Sequence, residues 1–224
     1  MFVAPERLFK AEHALFFPNW FGRTLEEGAK RREPGEGLGR KDGYGGLGRD
    51  TCEAMRGRVS VVSVFSSMWA LNQVRTFVGG AQNPGLREVI EGSGGVAQEV
   101  EINYEDNVLK YWLLRLFGMR KLREERTVEE QKRYFVVRRG VSDIMKEALG
   151  LMNLQVGYVY LVDPEMRVRW AGSANAEPAE RESLTRGVRK LVQEAKGVDS
   201  KSRLNVAVEE VVEDQESKRA AAAA

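Results

Sequence analysis

Val59, Val61, Val62, Val64 and Phe65 make a run of seven residues apolar at nearly every position. That is the pattern of a strand covered on both faces. Residues 98–103 alternate apolar and polar side chains and predict a second strand, and 133–138 a third. Residues 157–162 and 166–171 flank Asp163-Pro-Glu165 and predict a hairpin around a proline-containing turn. Helices are predicted over 70–78, 86–91, 107–117 and 142–151, the last capped by Ser142. A final long helix opens at Glu177-Pro178 with Asn175 as its cap, and places Leu184, Val188, Leu191, Val192 and Ala195 on one face. A short helix over 204–212 would follow it. Strands alternating with helices, closing on a hairpin and a helix, predict an α/β domain with a mixed central sheet flanked by helices.

Two stretches depart from this regularity. Residues 1–32 form an N-terminal arm, and its strongly apolar part around Pro18 (Ala14 to Gly22) should pack on the domain as an extended piece. Residues 33–50 then hold seven glycines among charges, too little apolar surface to offset ordering, so a mobile loop is expected. The domain proper is 51–197, followed by a charged tail, 198–224. Its closing alanines, 220–224, read as an artificial addition and are set aside. Within the loop, Gly43-Tyr-Gly45-Gly-Leu-Gly48 matches a dinucleotide fingerprint in letters only. The strand that should precede it and the acidic residue that should follow are both missing. Gly92-Ser-Gly-Gly95 is read as a turn.

Composition narrows the chemistry. The 224 residues carry 35 basic and 33 acidic side chains, a formal charge of +2, which gives no general attraction to nucleic acid. One cysteine and one histidine exclude an internal disulfide, a Cys-x-x-Cys pair and a Cys/His zinc site. A Cys–His nucleophile would require Cys52 and His13 to meet in the fold. No cofactor or metal is expected. The apolar runs fall far short of the roughly 20 residues that span a bilayer, and the N-terminus has the character of neither a secretory signal nor an organellar presequence. The chain is therefore cytosolic or a mature form whose presequence is gone.

Several longer words occur in a definite order: Phe17-Pro-Asn19, Val61-Val-Ser-Val-Phe-Ser-Ser-Met-Trp69 with Asn72-Gln73, and Ile102-Asn-Tyr-Glu-Asp-Asn107. Tyr134-Phe-Val-Val-Arg-Arg-Gly140, Gly157-Tyr-Val-Tyr-Leu-Val-Asp163 and Arg169-Trp-Ala-Gly-Ser-Ala-Asn-Ala-Glu-Pro178 complete the set. Together they resemble the mitochondrial ATP synthase assembly factor family, the ATPase complex subunit ten proteins, over about residues 14–196. The resemblance implies a thioredoxin-like fold of the peroxiredoxin-related kind, with the Gly-rich loop as an insertion. It also implies a chaperone peripheral to the matrix side of the mitochondrial inner membrane, acting on the hydrophobic proton-channel subunit of the ATP synthase membrane sector.

In thiol enzymes of that fold the nucleophilic cysteine stands where the first buried strand meets its helix. Here Ser66-Ser-Met-Trp-Ala-Leu-Asn72 occupies the junction, with Trp69 and Asn72 near the two thiol positions. Leu154-Gln-Val156 stands where such enzymes often carry a cis-proline. Ser66 and Ser67 are read as helix caps, Glu105 and Asp106 as a polar strand end, and Cys52 as an incidental thiol. Arg138, Arg139, Arg167 and Arg169 are read as solvated strand ends. The candidate partner-binding residues are Trp69, Trp112, Leu113, Leu116 and Phe117, with Arg120 and Lys121 beside them; residues 107–117 hold more apolar side chains than one helix face needs. Two other functions remain open from the residues alone: a one-Cys peroxidase or oxidoreductase using Cys52, and a membrane-surface protein acting through residues 107–123.

Overall fold

The computed structural model describes residues 2–26, 48–105, 107 and 118–197. Most of the Gly-rich loop, nearly all of the helix expected over 107–117, and the tail with its 204–212 helix lie outside the described residues. The strands are β1 (Phe21–Thr24), β2 (Gly48–Asp50), β3 (Val59–Phe65), β4 (Ala97–Tyr104), β5 (Tyr134–Val137), β6 (Tyr158–Val162) and β7 (Val168–Ser173). They form one sheet in the order β2-β1-β5-β4-β3-β6-β7. The neighbours β5, β4 and β3 run parallel, and every other pairing is antiparallel. The helices are α1 (Thr51–Met55), α2 (Met68–Val78), α3 (Pro84–Glu91), α4 (Met119–Glu124), α5 (Val128–Lys132), α6 (Asp143–Ala148) and α7 (178–197). A parallel β3–helix–β4 unit beside an antiparallel β6–β7 hairpin and a closing helix is the thioredoxin-like arrangement. The sheet is extended on one side by β5, β1 and β2.

Alternation along β3 explains its uninterrupted apolar sequence. Val59, Val61 and Phe65 face the layer of α2, α3 and α7, where they meet Phe77, Leu184 and Val188. Val62 and Val64 face the opposite layer, with Phe17, Trp20, Tyr158 and Tyr160. All seven residues of β3 are buried. The buried Ser60 is satisfied there: its Oγ accepts from Gln98 Nε2 at 3.0 Å, and that amide also donates to the Ala54 carbonyl at 2.7 Å.

Five expectations need correction. The arm contains a strand: β1 pairs with both β2 and β5, so residues 21–24 belong to the sheet rather than lying on it. Residues 48–50, expected in the loop, are β2. The helix capped by Ser142 ends at Ala148, not 151. At the head of α7 the Glu180 carboxylate, not Asn175, accepts from the Glu177 N–H at 2.9 Å, a reach-back from the third helical position. Finally, Arg169 is not a solvated end. Its guanidinium is 9% exposed, donates to Asp163 Oδ2 at 3.2 Å, and donates through Nε to the Phe9 carbonyl at 2.8 Å. Asp163, 2% exposed, also accepts from the Arg167 N–H at 2.9 Å and Arg167 Nε at 2.7 Å, which fixes the β6–β7 turn.

Candidate functional site

The candidate site is the junction between β3 and α2. Burial of β3 on both faces brings the chain to the sheet end at Phe65, and after two intervening residues α2 begins at Met68. Ser67 adopts an extended backbone and caps α2, its hydroxyl accepting from the Ala70 N–H at 3.1 Å. The Ser66 hydroxyl donates to the Leu154 carbonyl. Ser67 is thus the cap the sequence predicts, whereas Ser66 is not a cap and ties the junction to the loop before β6; neither hydroxyl faces an imidazole. Asn72 follows on the exposed side of α2.

The partner of this junction is the loop entering β6. The buried Gln73 side chain accepts from the Gly157 N–H at 2.9 Å. Gly157 is held so close to α2 that an added Cβ would stand 2.3 Å from the Ala70 carbonyl oxygen. Tyr158 Oη closes the loop from below, accepting from the Asn153 N–H and donating to the Asn153 carbonyl, both at 3.2 Å. On this rigid frame three apolar side chains stand in solvent: Met68 at 66%, Trp69 at 68% and Met152 at 77% exposure. Trp69 is therefore available for contact and not a core aromatic.

Arg120 and Lys121 lie on α4, exposed, while Met119 and Leu122 of the same helix pack against the core of the α2 layer. Arg120 Nε donates to Glu124 at 3.2 Å, one turn on. Among the described residues no hydrogen bond or ion pair joins this pair to Trp69. Trp112, Leu113, Leu116 and Phe117 lie outside the described residues. Met152 and Gln73 were missed from the sequence. Gln73 had a signal, a polar residue at i+3 on a helix face otherwise made by Ala70, Val74 and Phe77; Met152 had none.

Cys52 lies on α1, before β3 begins. The Ser66 junction follows the other end of that strand, which is six residue steps of about 3.3 Å, or roughly 20 Å, long. The Cys52 thiol is half-buried, and desolvation pushes it above the usual thiol range. That lowers the thiolate fraction, the reverse of what a reactive cysteine needs. His13 is exposed, 3.6 Å from Glu12, and no hydrogen bond joins it to Cys52 among the described residues. Glu105 accepts from the Asn107 N–H at 3.0 Å, as a strand end does. No group of His, Cys, Asp and Glu among the described residues is arranged to hold a metal ion, and no described helix is long and apolar enough to cross a membrane.

The model of the ATP10 protein family matches residues 1–191. The chain belongs to this family. Its curated relatives include the protein named mitochondrial ATPase complex subunit ATP10 in Eremothecium gossypii, 32% identical over 199 residues, and its namesake in Candida glabrata, 27% identical over 197. Each alignment covers 88% of this chain, and the chain spans just under two thirds of those relatives, 65% and 64% of their lengths. A Saccharomyces cerevisiae protein of the same name is 26% identical over 85% of this chain and 64% of its own. Among solved structures, a secreted thiol-disulfide isomerase from Corynebacterium glutamicum superposes with a TM-score of 0.49 at 10% identity, over 85% of this chain and 92% of that one. A DsbF homologue from Corynebacterium diphtheriae gives 0.48 at 11%, over 84% and 93%.

Proposed function

We propose that this chain is a non-redox chaperone for assembly of the membrane sector of the mitochondrial F-type ATP synthase. It works at the matrix face of the inner membrane and binds the hydrophobic proton-channel subunit. The observation that carries the reading is membership of a family whose relatives are named mitochondrial ATPase complex subunits. The chemistry of the junction supports it. A client made of membrane-spanning segments offers apolar surface, and the exposed Met68, Trp69 and Met152 offer the same on a rigid frame. Large aromatic anchors of this kind dominate interface energetics. The residues Trp112, Leu113, Leu116 and Phe117, followed by Arg120 and Lys121, are proposed as a second part of the contact. A thiol reaction would have to run through Cys52, on α1 before β3 begins, with its thiol pKa raised by burial.

Capture of newly made proton-channel subunit from a mitochondrial extract tests the reading. Wild type should enrich it, and Trp69→Ala should reduce capture about thirtyfold, the effect of losing one hot-spot anchor. The urea midpoint should not move, because Trp69 is mostly exposed. No enrichment by wild type ends the partner assignment, and undiminished capture by Trp69→Ala removes this surface from it.

A further inference from the structure

The arm from Phe2 to Phe17 follows the outer edge of β7. The Phe9 N–H donates to the Arg169 carbonyl, the Val168 N–H to the Leu15 carbonyl and the Phe17 N–H to the Met166 carbonyl, each at 2.7 Å. The open edge of the sheet is thereby covered. Further bonds hold the arm to α7 and β7: the Ala4 N–H to Glu180 at 2.8 Å, and Trp170 Nε1 to the Pro5 carbonyl at 3.0 Å. So firmly held a segment would be expected to bury its apolar side chains. Instead Val3, Phe9, Leu15 and Phe16 are 85%, 42%, 59% and 67% exposed, four of the nine large apolar side chains that stand in solvent among the described residues.

Both flanks of the arm are hollow. On one side an apolar cavity of about 620 Å³ opens beneath Phe2, Val3, Phe9 and Leu15, against Tyr160 and Val168 of the sheet. Its size is that of a small-molecule or lipid site. On the other side a groove of about 500 Å³ runs between the arm and α7, lined by Arg7, Arg186, Arg189 and Lys190, with Glu6 as its one carboxylate among the described residues, all exposed. Arg186 pairs with Glu182 at 3.5 Å and Lys190 with Glu194 at 3.9 Å. Arg7 and Arg189 make no ion pair among the described residues. Against Glu6, Glu182 and Glu194 the four cations still leave the groove net positive, beside the chain's most exposed apolar segment.

We propose that this edge docks on an anionic phospholipid surface. The basic groove takes headgroup phosphates, Val3, Phe9, Leu15 and Phe16 enter the acyl boundary, and the cavity beneath the arm receives one acyl chain. A nucleic acid would satisfy the cations and leave those four side chains against water; a bilayer satisfies both. The inference rests on the reading of the chain as peripheral to a membrane and gives that reading a surface distinct from Trp69.

Flotation with vesicles of phosphatidylcholine alone, and of phosphatidylcholine with phosphatidylglycerol, tests it on the whole chain. Wild type should float with the anionic vesicles only and release at high salt. Arg7→Gln/Arg189→Gln should weaken partition about thirtyfold, the effect of losing two basic side chains at the membrane surface. Leu15→Ser/Phe16→Ser should weaken it too, while Arg120→Gln/Lys121→Gln should float as wild type does. Circular dichroism confirms that each variant is folded. Flotation of Arg7→Gln/Arg189→Gln equal to wild type overturns this surface and leaves the peripheral reading standing. Failure of wild type to float overturns both. Displacement by inorganic phosphate at constant ionic strength assigns the groove to free phosphate instead, and tight binding of an RNA oligonucleotide without flotation assigns it to nucleic acid; either overturns the proposal.

Discussion

Glu99 stands on β4, in the polar cavity of about 440 Å³ formed by α2, α3, β4 and the α4–α5 segment. Its guanidinium neighbours are committed elsewhere. Arg126 donates to Glu101 through Nε and Nη2 at 2.9 and 2.7 Å, and Arg87 donates to Glu91 at 2.7 Å. The Glu99 carboxyl makes no hydrogen bond among the described residues. Burial, reinforced by the carboxylates of Glu101 and Glu130 and only partly opposed by Arg133 and Arg87, pushes its carboxyl up to about 7. In the unfolded chain the same group titrates near 4.5. Between those two values the native state keeps a proton that the unfolded state has released, so stability falls as pH rises from 4.5 to 7 and levels off above. Each pH unit of separation is worth about 1.4 kcal/mol, so the whole effect is about 3 kcal/mol. Glu99→Gln removes the ionisation and keeps the size. Urea unfolding at intervals from pH 4 to 8 should show the variant gaining about 3 kcal/mol on wild type across that window, with no further gain at higher pH. Parallel profiles for the two proteins would refute the argument, since they would mean that Glu99 is charged and solvated in the native state.

Two further perturbations test the frame and the chemistry. Asp163→Ala leaves the Arg169 guanidinium buried without its carboxylate and should cost about 3–5 kcal/mol, lowering the melting temperature by about 10 °C. Adding Arg169→Met should recover part of the loss; a near-neutral Asp163→Ala would show that the turn stands without its ion pair. Cys52→Ser should leave peroxide consumption at background, as in wild type, and should leave capture of the proton-channel subunit intact. Turnover with a thiol donor that Cys52→Ser abolishes would reinstate the one-Cys oxidoreductase.

Much of the fold is legible in the sequence because its strongest elements are local. Strand β3 announces itself by apolar residues at nearly every position, as two-faced burial demands, and the hairpin by β-branched and aromatic runs around Asp163-Pro164. The long helix α7 follows a 3.6-residue period, and Ser142 is a cap in the sequence and in the structure. The absence of a thiol at the β3–α2 junction is likewise a property of the sequence alone. Other features exist only in three dimensions. Phe-Gly-Arg-Thr becomes β1 because β2 and β5 lie beside it; four residues have too little pattern to form a strand by themselves. The helices α4 and α5 are short and charged, and α5 shows its presence locally only through the reciprocal Thr127–Glu130 capping box. Arginines 138 and 169 look alike in sequence, yet Arg169 is buried because the turn places Asp163 beneath it. Trp69 is a candidate contact in the sequence, but only the helix decides that it stands in solvent. The arm's apolar residues read as buried until its backbone is spent on the edge of β7, leaving Leu15 and Phe16 in solvent. Periodicity reports which side of an element is apolar, but long-range pairing decides what covers that side.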